Sequence, residues 1–173
     1  MNDVSAMPTS PLALMQKLGE MGIDYELHEH EAVFTVAESE KVDKQIDACH
    51  TRNMYLRTKK KENYLVTLSH DTPIDLKKLE DVIGAKRFSF GSSDRLMQYL
   101  GVYPGSVTPL AAVNAKPDDI EVILEEKMMQ ATRVAYHPLL NTMTVVIKPD
   151  DLIRFLKACG HEPRVLDLTP AAP

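Results

Sequence analysis

Two β-rich runs, residues 53–58 and 64–69, constrain this chain most. Only Lys59-Lys60-Lys61-Glu62-Asn63 separates them, and that polar stretch suits a hairpin turn. Helical segments with explicit start and stop signals surround the hairpin. Ser10-Pro11 is a cap and first-turn pair, and Leu12, Met15, Leu18 and Met21 follow at helical spacing before Gly22. Ile23, Tyr25 and Leu27 alternate with polar residues, which predicts a strand over 23–30. Thr35-Val36-Ala37-Glu38 has capping-box spacing and opens a short helix. Asp75 caps a helix carrying Leu76, Leu79 and Val82 up to Gly84, and Ser92 or Ser93 caps another carrying Leu96, Tyr99 and Leu100 up to Gly101.

The Gly- and Pro-containing stretch 102–113 reads as a loop running into a strand. Residues 120–124, 133–136 and 142–147 read as strands in succession. Pro149-Asp150-Asp151 opens a final helix with Leu152, Phe155 and Leu156, ending at Gly160, and a short strand over 164–168 follows. Helices that precede, interrupt and follow mostly hairpin-connected strands favour an α+β, mixed-sheet domain over a doubly wound parallel sheet. A length of 173 residues with no internal repeat implies one domain. Its expected extent is 10–168, with a flexible leader at 1–9 and a flexible tail at 169–173.

Two cysteines, Cys49 and Cys159, are too few for a secreted disulfide scaffold. No apolar run approaches the ~20 residues of a membrane span, and the start carries acid where a signal peptide carries base. A cytoplasmic protein with no membrane partner is expected. The net charge of −5 argues at first against nucleic acid, but its distribution does not. Residues 41–95 hold 12 of the 20 Lys and Arg against 8 Asp and Glu, a local balance of +4, while the remainder stands at −9. Such a basic middle aims its field at one face if the fold keeps it together, or is simply a solvated lysine-rich hairpin.

The usual catalytic templates are absent: no GxGxxG, no Walker loop, no GxSxG and no HExxH. His28 and His30 are two apart on a predicted strand and share a face, yet no further ligands accompany them. No metal and no cofactor is expected. Cys49 and His50 are adjacent on extended chain and so point to opposite faces, which argues against a thiolate–imidazole couple. Two segments remain. In Pro104-Gly105-Ser106-Val107-Thr108-Pro109, Gly permits close ligand approach and Pro stiffens the exit, so main-chain amides can hold a carbonyl or an anion. The other, His137-Pro138-Leu139-Leu140-Asn141, frames a turn between two strands.

Taken with Val33-Phe34-Thr35-Val36, His50-Thr51-Arg52-Asn53, Tyr64-Leu65-Val66 and Arg87-Phe88-Ser89-Phe90, in that chain order, these segments resemble the YbaK/prolyl-tRNA synthetase-associated domain family of trans-editing deacylases. The run from Gly101 to Pro109 is most similar to the ProXp-ala-like branch, which hydrolyses alanine mischarged on proline tRNA. The resemblance implies a mixed β-sheet, curved toward a barrel and flanked by helices. It also implies hydrolysis of the ester joining a wrong amino acid to the tRNA 3′ end by an oriented, substrate-assisted water.

On the same resemblance Gly105, with Ser106, Val107, Thr108 and Pro109, places the aminoacyl carbonyl, and Asn53 and His137 line the pocket. Val33, Phe34 and Leu65 are the candidates for its wall. An aminoacyl ester is already activated, so oriented water and an oxyanion cradle suffice without a protein nucleophile. The family usually carries Lys where this chain has Arg52. Arg keeps the charge and offers a planar fork for phosphate but places its donors differently, so a catalytically silent tRNA-binding or regulatory module of the same fold is the competing reading.

Alanine is the favoured misacyl group, with serine or another small residue as alternatives. Proline must be excluded by clash, because one methylene of apolar contact is worth only ~1–3 kcal/mol. Lys59, Lys60, Lys61, Lys77, Lys78, Lys86 and Arg87 of the basic middle are expected to grip phosphates of the acceptor end. The implied partners are proline tRNA and, for delivery, a prolyl-tRNA synthetase. Double-stranded DNA is not among them, since no helix combines basic residues with groove-reading spacing.

Overall fold

The computed structural model describes residues 2–173. Eight strands form one mixed sheet: β1 (Glu26–Glu29), β2 (Cys49–Arg57), β3 (Asn63–Ser69), β4 (Ser89–Phe90), β5 (Glu121–Glu125), β6 (Val134–Tyr136), β7 (Met143–Ile147) and β8 (Arg164–Leu166). Six α-helices accompany them: α1 (Pro11–Glu20), α2 (Val36–Asp43), α3 (Leu76–Ile83), α4 (Ser93–Leu100), α5 (Glu126–Met129) and α6 (Pro149–Ala158). The order across the sheet is β1-β7-β6-β2-β3-β5-β8, with β4 added beside β2. The sheet is open, ending at β1 and β8. This is the α+β, mixed-sheet architecture expected. No helix among the described residues is long and apolar enough to cross a membrane.

The β2–β3 hairpin is the centre of the molecule, and its register pairs Asn53 with Thr67 and Arg52 with Leu68. Because successive side chains alternate faces, β2 and β3 feed two separate cores. Tyr55, Leu65, Val122 and Leu124 pack with α1, α4 and α6 on one face. Met54, Leu56, Val66, Leu68 and Ile123 pack with α3 on the other. All seven residues of β3 are buried, as a strand covered on both sides must be.

The other flank of β2 is shared. Strand β6 pairs in parallel with Cys49 and His50, and β4 pairs antiparallel with Leu56 and Arg57. Between them, around Asn53, β2 has no neighbouring strand on that side. Three pairings, β2 with β6, β3 with β5 and β5 with β8, are parallel, which makes the sheet mixed.

Start and stop signals act where they were read. Ser10 accepts the Ala13 N–H at 3.1 Å with Pro11 in the first turn, and Ser92 and Asp75 cap α4 and α3. At α2 the capping box is complete: Thr35 accepts the Glu38 N–H at 3.2 Å, and the Glu38 carboxylate accepts the N–H groups of Phe34 at 2.8 Å and Thr35 at 3.0 Å. Those amide bonds, Phe34 first, hold the Glu38 carboxyl below its ordinary range.

Several local expectations change. The strand predicted over 23–30 spans only Glu26–Glu29. Stretch 102–113 does not end in a strand: Pro109–Asn114 is a 3-10 turn, because Thr108 caps it, Pro109 fits a first turn, and Leu110, Ala111 and Ala112 are buried. The leader, expected to be flexible, forms a short 3-10 turn at Val4–Ala6. It docks through buried Met7, a 2.6 Å bond from Thr9 to Asn114 and a 2.8 Å bond from the Tyr103 hydroxyl to the Asp3 carbonyl. The tail is docked too: Ala171 is fully buried, and its carbonyl accepts the Asp75 N–H at 2.8 Å. In both segments a few small apolar contacts and main-chain bonds do the anchoring, which composition does not reveal.

Candidate active site

A cleft opens where β2 loses its neighbour. Asn53 stands on its floor, and the turn at Gly105 and the β6–β7 connection bearing His137 stand above it. Its innermost part, about 70 Å³, is lined by Val33, Asn53, His137 and the histidines at 30, 50 and 70. Two wider mouths continue from it. One of about 480 Å³ carries Val33, Phe34, Pro104, Gly105 and His137. The other, of about 200 Å³, carries Asn53, Tyr55, Phe90, Gly105 and Val107. The inner volume is several-fold below the roughly 300–1,000 Å³ of ordinary small-molecule sites, and so suits a very small group.

The Gly105 turn is built for main-chain donation. Gly105 lies at φ +86°, where a Cβ is strained, and the Ser106 N–H closes the turn onto the Tyr103 carbonyl at 3.1 Å. The N–H groups of Gly105 and Val107 have no protein partner among the described residues. The buried Ser106 hydroxyl also lacks one. Asn141 braces this turn from behind: it is buried, its amide donates to the Val33 carbonyl at 3.2 Å, and the same nitrogen lies 3.3 Å from where a Gly105 Cβ would stand.

Asn53 is oriented by its neighbours. Its carbonyl accepts from the Thr67 hydroxyl at 2.9 Å and its amide reaches Thr51 Oγ1 at 3.4 Å, which leaves one amide hydrogen free. The His137 Nδ1–H donates to the Met143 carbonyl at 2.8 Å, leaving Nε2 as an acceptor. Burial, followed by the neighbouring His30 ring, pulls His137 below the ordinary histidine range despite that carbonyl, so it is neutral at pH 7.

His50 goes the other way. Burial opposes its charge, but Asp43 at 3.0 Å and the Ile46 carbonyl at 2.8 Å face both ring nitrogens and raise its pKa. The sign for stability follows. A raised folded value makes the Asp43–His50 contribution fully present below the unfolded value of ~6.5, and it fades as pH rises through the folded value. Asp43→Asn is therefore expected to cost on the order of 1 kcal/mol at pH 6 and clearly less at pH 8.5. Urea unfolding at the two pH values measures this, and an equal loss at both removes the charge from the account.

The structure brings Asn53, His137, Gly105, Val33, Phe34 and Val107 to one cleft. It does not bring Arg52 there. Neighbours on a strand face opposite ways, so Arg52 lies with Leu68 on the other side of the sheet and donates to the Thr72 carbonyl at 2.9 Å. Leu65 is fully buried in the core beneath rather than on the wall. Ser106, Thr108 and Pro109 are buried supports of the turn, with the Thr108 hydroxyl accepting the Leu110 N–H.

Of the basic residues, Lys59, Lys60, Lys86 and Arg87 share one groove of about 510 Å³. Lys61 borders a different hollow beside Asp118 and Asp119, and Lys78 on α3 is tied to the Ala172 carbonyl. Lys77, also on α3, lies outside the shared groove. His28 pairs with Glu26, while His30 turns to Thr144, so the two do not converge. The Cys49 thiol reaches Ser69 and the His50 carbonyl, not the imidazole, and burial pushes it up. Asn141, His50 with Asp43, and Phe90 escaped the sequence reading. Asn141, His50 and Phe90 each stand in a segment that carries the family resemblance, whereas Asp43 left no signal.

Comparison with known proteins shows the family. Residues 30–155 match the family described as the aminoacyl-tRNA editing domain. The prolyl-tRNA editing protein ProX of Acetoanaerobium sticklandii is 38% identical over 157 residues, covering 90% of this chain and 96% of that protein. The prolyl-tRNA synthetase associated domain-containing protein 1 of Mus musculus is 33% identical, covering 89% and 94%. A solved structure described as a candidate trans-editing enzyme for prolyl tRNA synthetase superposes with a TM-score of 0.68 at 17% identity, covering 91% and 96%, and shares the fold. The chain belongs to the aminoacyl-tRNA editing domain family.

Proposed function

We propose that this protein hydrolyses the ester linking alanine to the 3′ end of proline tRNA. The observation that carries this reading is that the unpartnered amides of Gly105 and Val107 line a mouth they share with Asn53, and Gly105 a second mouth it shares with a neutral His137, while Asn53 and His137 both line the adjoining hollow of about 70 Å³. Water adds to the ester carbonyl, and the charge that develops on its oxygen falls to the preorganised amides. The bond to the ribose oxygen then breaks, and that oxygen leaves with a proton from the attacking water, relayed by the vicinal hydroxyl. His137 Nε2 and the free Asn53 amide hydrogen hold water and substrate in line. On this reading the inner hollow takes a methyl side chain and excludes the proline ring by clash. The acceptor end lies along the groove of Lys59, Lys60, Lys86 and Arg87.

One observation favours the silent module instead: the Arg52 guanidinium is engaged with the Thr72 carbonyl. That bond uses one of the five guanidinium N–H donors, on the face of the sheet turned away from Asn53. A single experiment addresses both readings, with alanyl-, seryl-, cysteinyl- and prolyl-tRNA offered to catalytic amounts of wild type and of Arg52→Ala. Turnover of the alanyl species with prolyl-tRNA left intact is expected, and Arg52→Ala is expected to lose about tenfold in kcat/KM, the worth of one charged hydrogen bond. Binding of tRNA without turnover establishes the silent module. A wild-type rate for Arg52→Ala removes the phosphate role.

A further inference from the structure

Phe34 and Phe90, 70% and 65% exposed, stand in solvent on either side of the Gly105 turn. Phe34 flanks the wider mouth with His137. Phe90 borders the hollow of about 200 Å³ that it shares with Asn53 and Gly105. An aromatic ring left in water forgoes the burial that stabilises its kind elsewhere in the chain.

Phe90 is also held where it stands. Strand β4 is pinned to β2 by the Gly91 N–H donating to the Tyr55 carbonyl at 3.0 Å. Gly91 lies so close that a Cβ there would fall 2.0 Å from the Tyr55 ring. That carbonyl lies on the flank of β2 away from β3, and strand parity turns the Asn53 N–H and C=O to the same flank, where no strand pairs with them. In register Phe90 stands opposite Leu56, so its side chain leaves the sheet on the face of Leu56 and Met54, at the rim of the hollow that Met54 also lines. Three residues before Phe90, Arg87 enters the basic groove, at most roughly 10 Å of chain away. The hollow is thus flanked by phosphate-type charge on one side and by the Gly105 amides on the other.

We infer that Phe90 is the stacking platform for the terminal nucleobase of the RNA 3′ end. The inference rests on the deacylase reading: ester and terminal base hang from one ribose, so the base must lie one sugar away from the cleft, and this hollow shares Asn53 and Gly105 with it. Stacking on aromatic side chains is the common means of holding an unpaired base.

The probe is a proline acceptor-stem minihelix with 2-aminopurine as its terminal base, alongside steady-state deacylation of alanyl-tRNA. Binding to wild type is expected to quench the fluorescence. Phe90→Ala is expected to lose the quenching and raise KM about tenfold or more with kcat within about twofold, and Phe90→Trp to restore both. Quenching and KM in Phe90→Ala equal to wild type overturn the base subsite alone. If wild type neither binds the minihelix nor turns over alanyl-tRNA, the deacylase reading falls, and the subsite falls with it.

Discussion

Gly105→Ala is expected to reduce deacylation of alanyl-tRNA by about 10²- to 10³-fold while leaving the fold intact, the loss typical of one displaced oxyanion donor. Two effects combine. At φ +86° an alanine costs about 1–2 kcal/mol of backbone strain. Its Cβ also stands 3.3 Å from Asn141 Nδ2 and 3.6 Å from the Phe34 ring. Phe34 is exposed and can move, but Asn141 is buried and bonded to Val33, so the turn itself must shift. That shift carries the Gly105 and Val107 amides off the carbonyl. Single-turnover kinetics with a thermal melt separates the effects: the melting temperature should fall only a few degrees, about 2–4 °C per kcal/mol for a chain of this size. A wild-type rate in a folded variant removes the turn from the chemistry.

Glu125→Ala is expected to have the largest effect on stability, about 3 kcal/mol, or a melting temperature lower by roughly 6–12 °C. The Glu125 carboxylate is 3% exposed. One oxygen accepts the Ser69 N–H and the other the Thr72 hydroxyl, each at 2.6 Å. Alanine leaves both donors buried without an acceptor, at ~1–3 kcal/mol each. Glu125→Gln keeps an acceptor for Ser69 and can donate to Thr72, so it should lose far less. Denaturant titration of the two variants checks this, and equal losses assign the effect to lost packing. The change reaches Arg52 as well, because the Thr72 carbonyl receives its guanidinium.

Local signals in the chain were legible because their physics is local. Ser10-Pro11, the Thr35–Glu38 box, Asp75 and Ser92 each satisfy helix N–H groups within three residues of themselves, so spacing alone reveals them. The hairpin at 59–63 was readable for the same reason. The site was readable in pieces: Asn53, Gly105 and His137 stood out in short ordered segments. Arg52 stood out with them and does not join them, although the alternation of strand faces that separates it from Asn53 is itself a sequence rule.

By itself, then, the sequence determined where most helices begin and end, the α+β class, the central hairpin, and the residues of the Gly105 turn. Tertiary structure alone decided that β6 and β4 share one flank of β2 and leave a gap at Asn53 between them. It alone set His50 against Asp43, Asn141 behind Gly105, and Phe90 at the mouth of the cleft. The reason is distance along the chain. Caps and turns are closed by neighbours, whereas a cleft is made by strands more than eighty residues apart, whose pairing depends on which faces the whole core can bury.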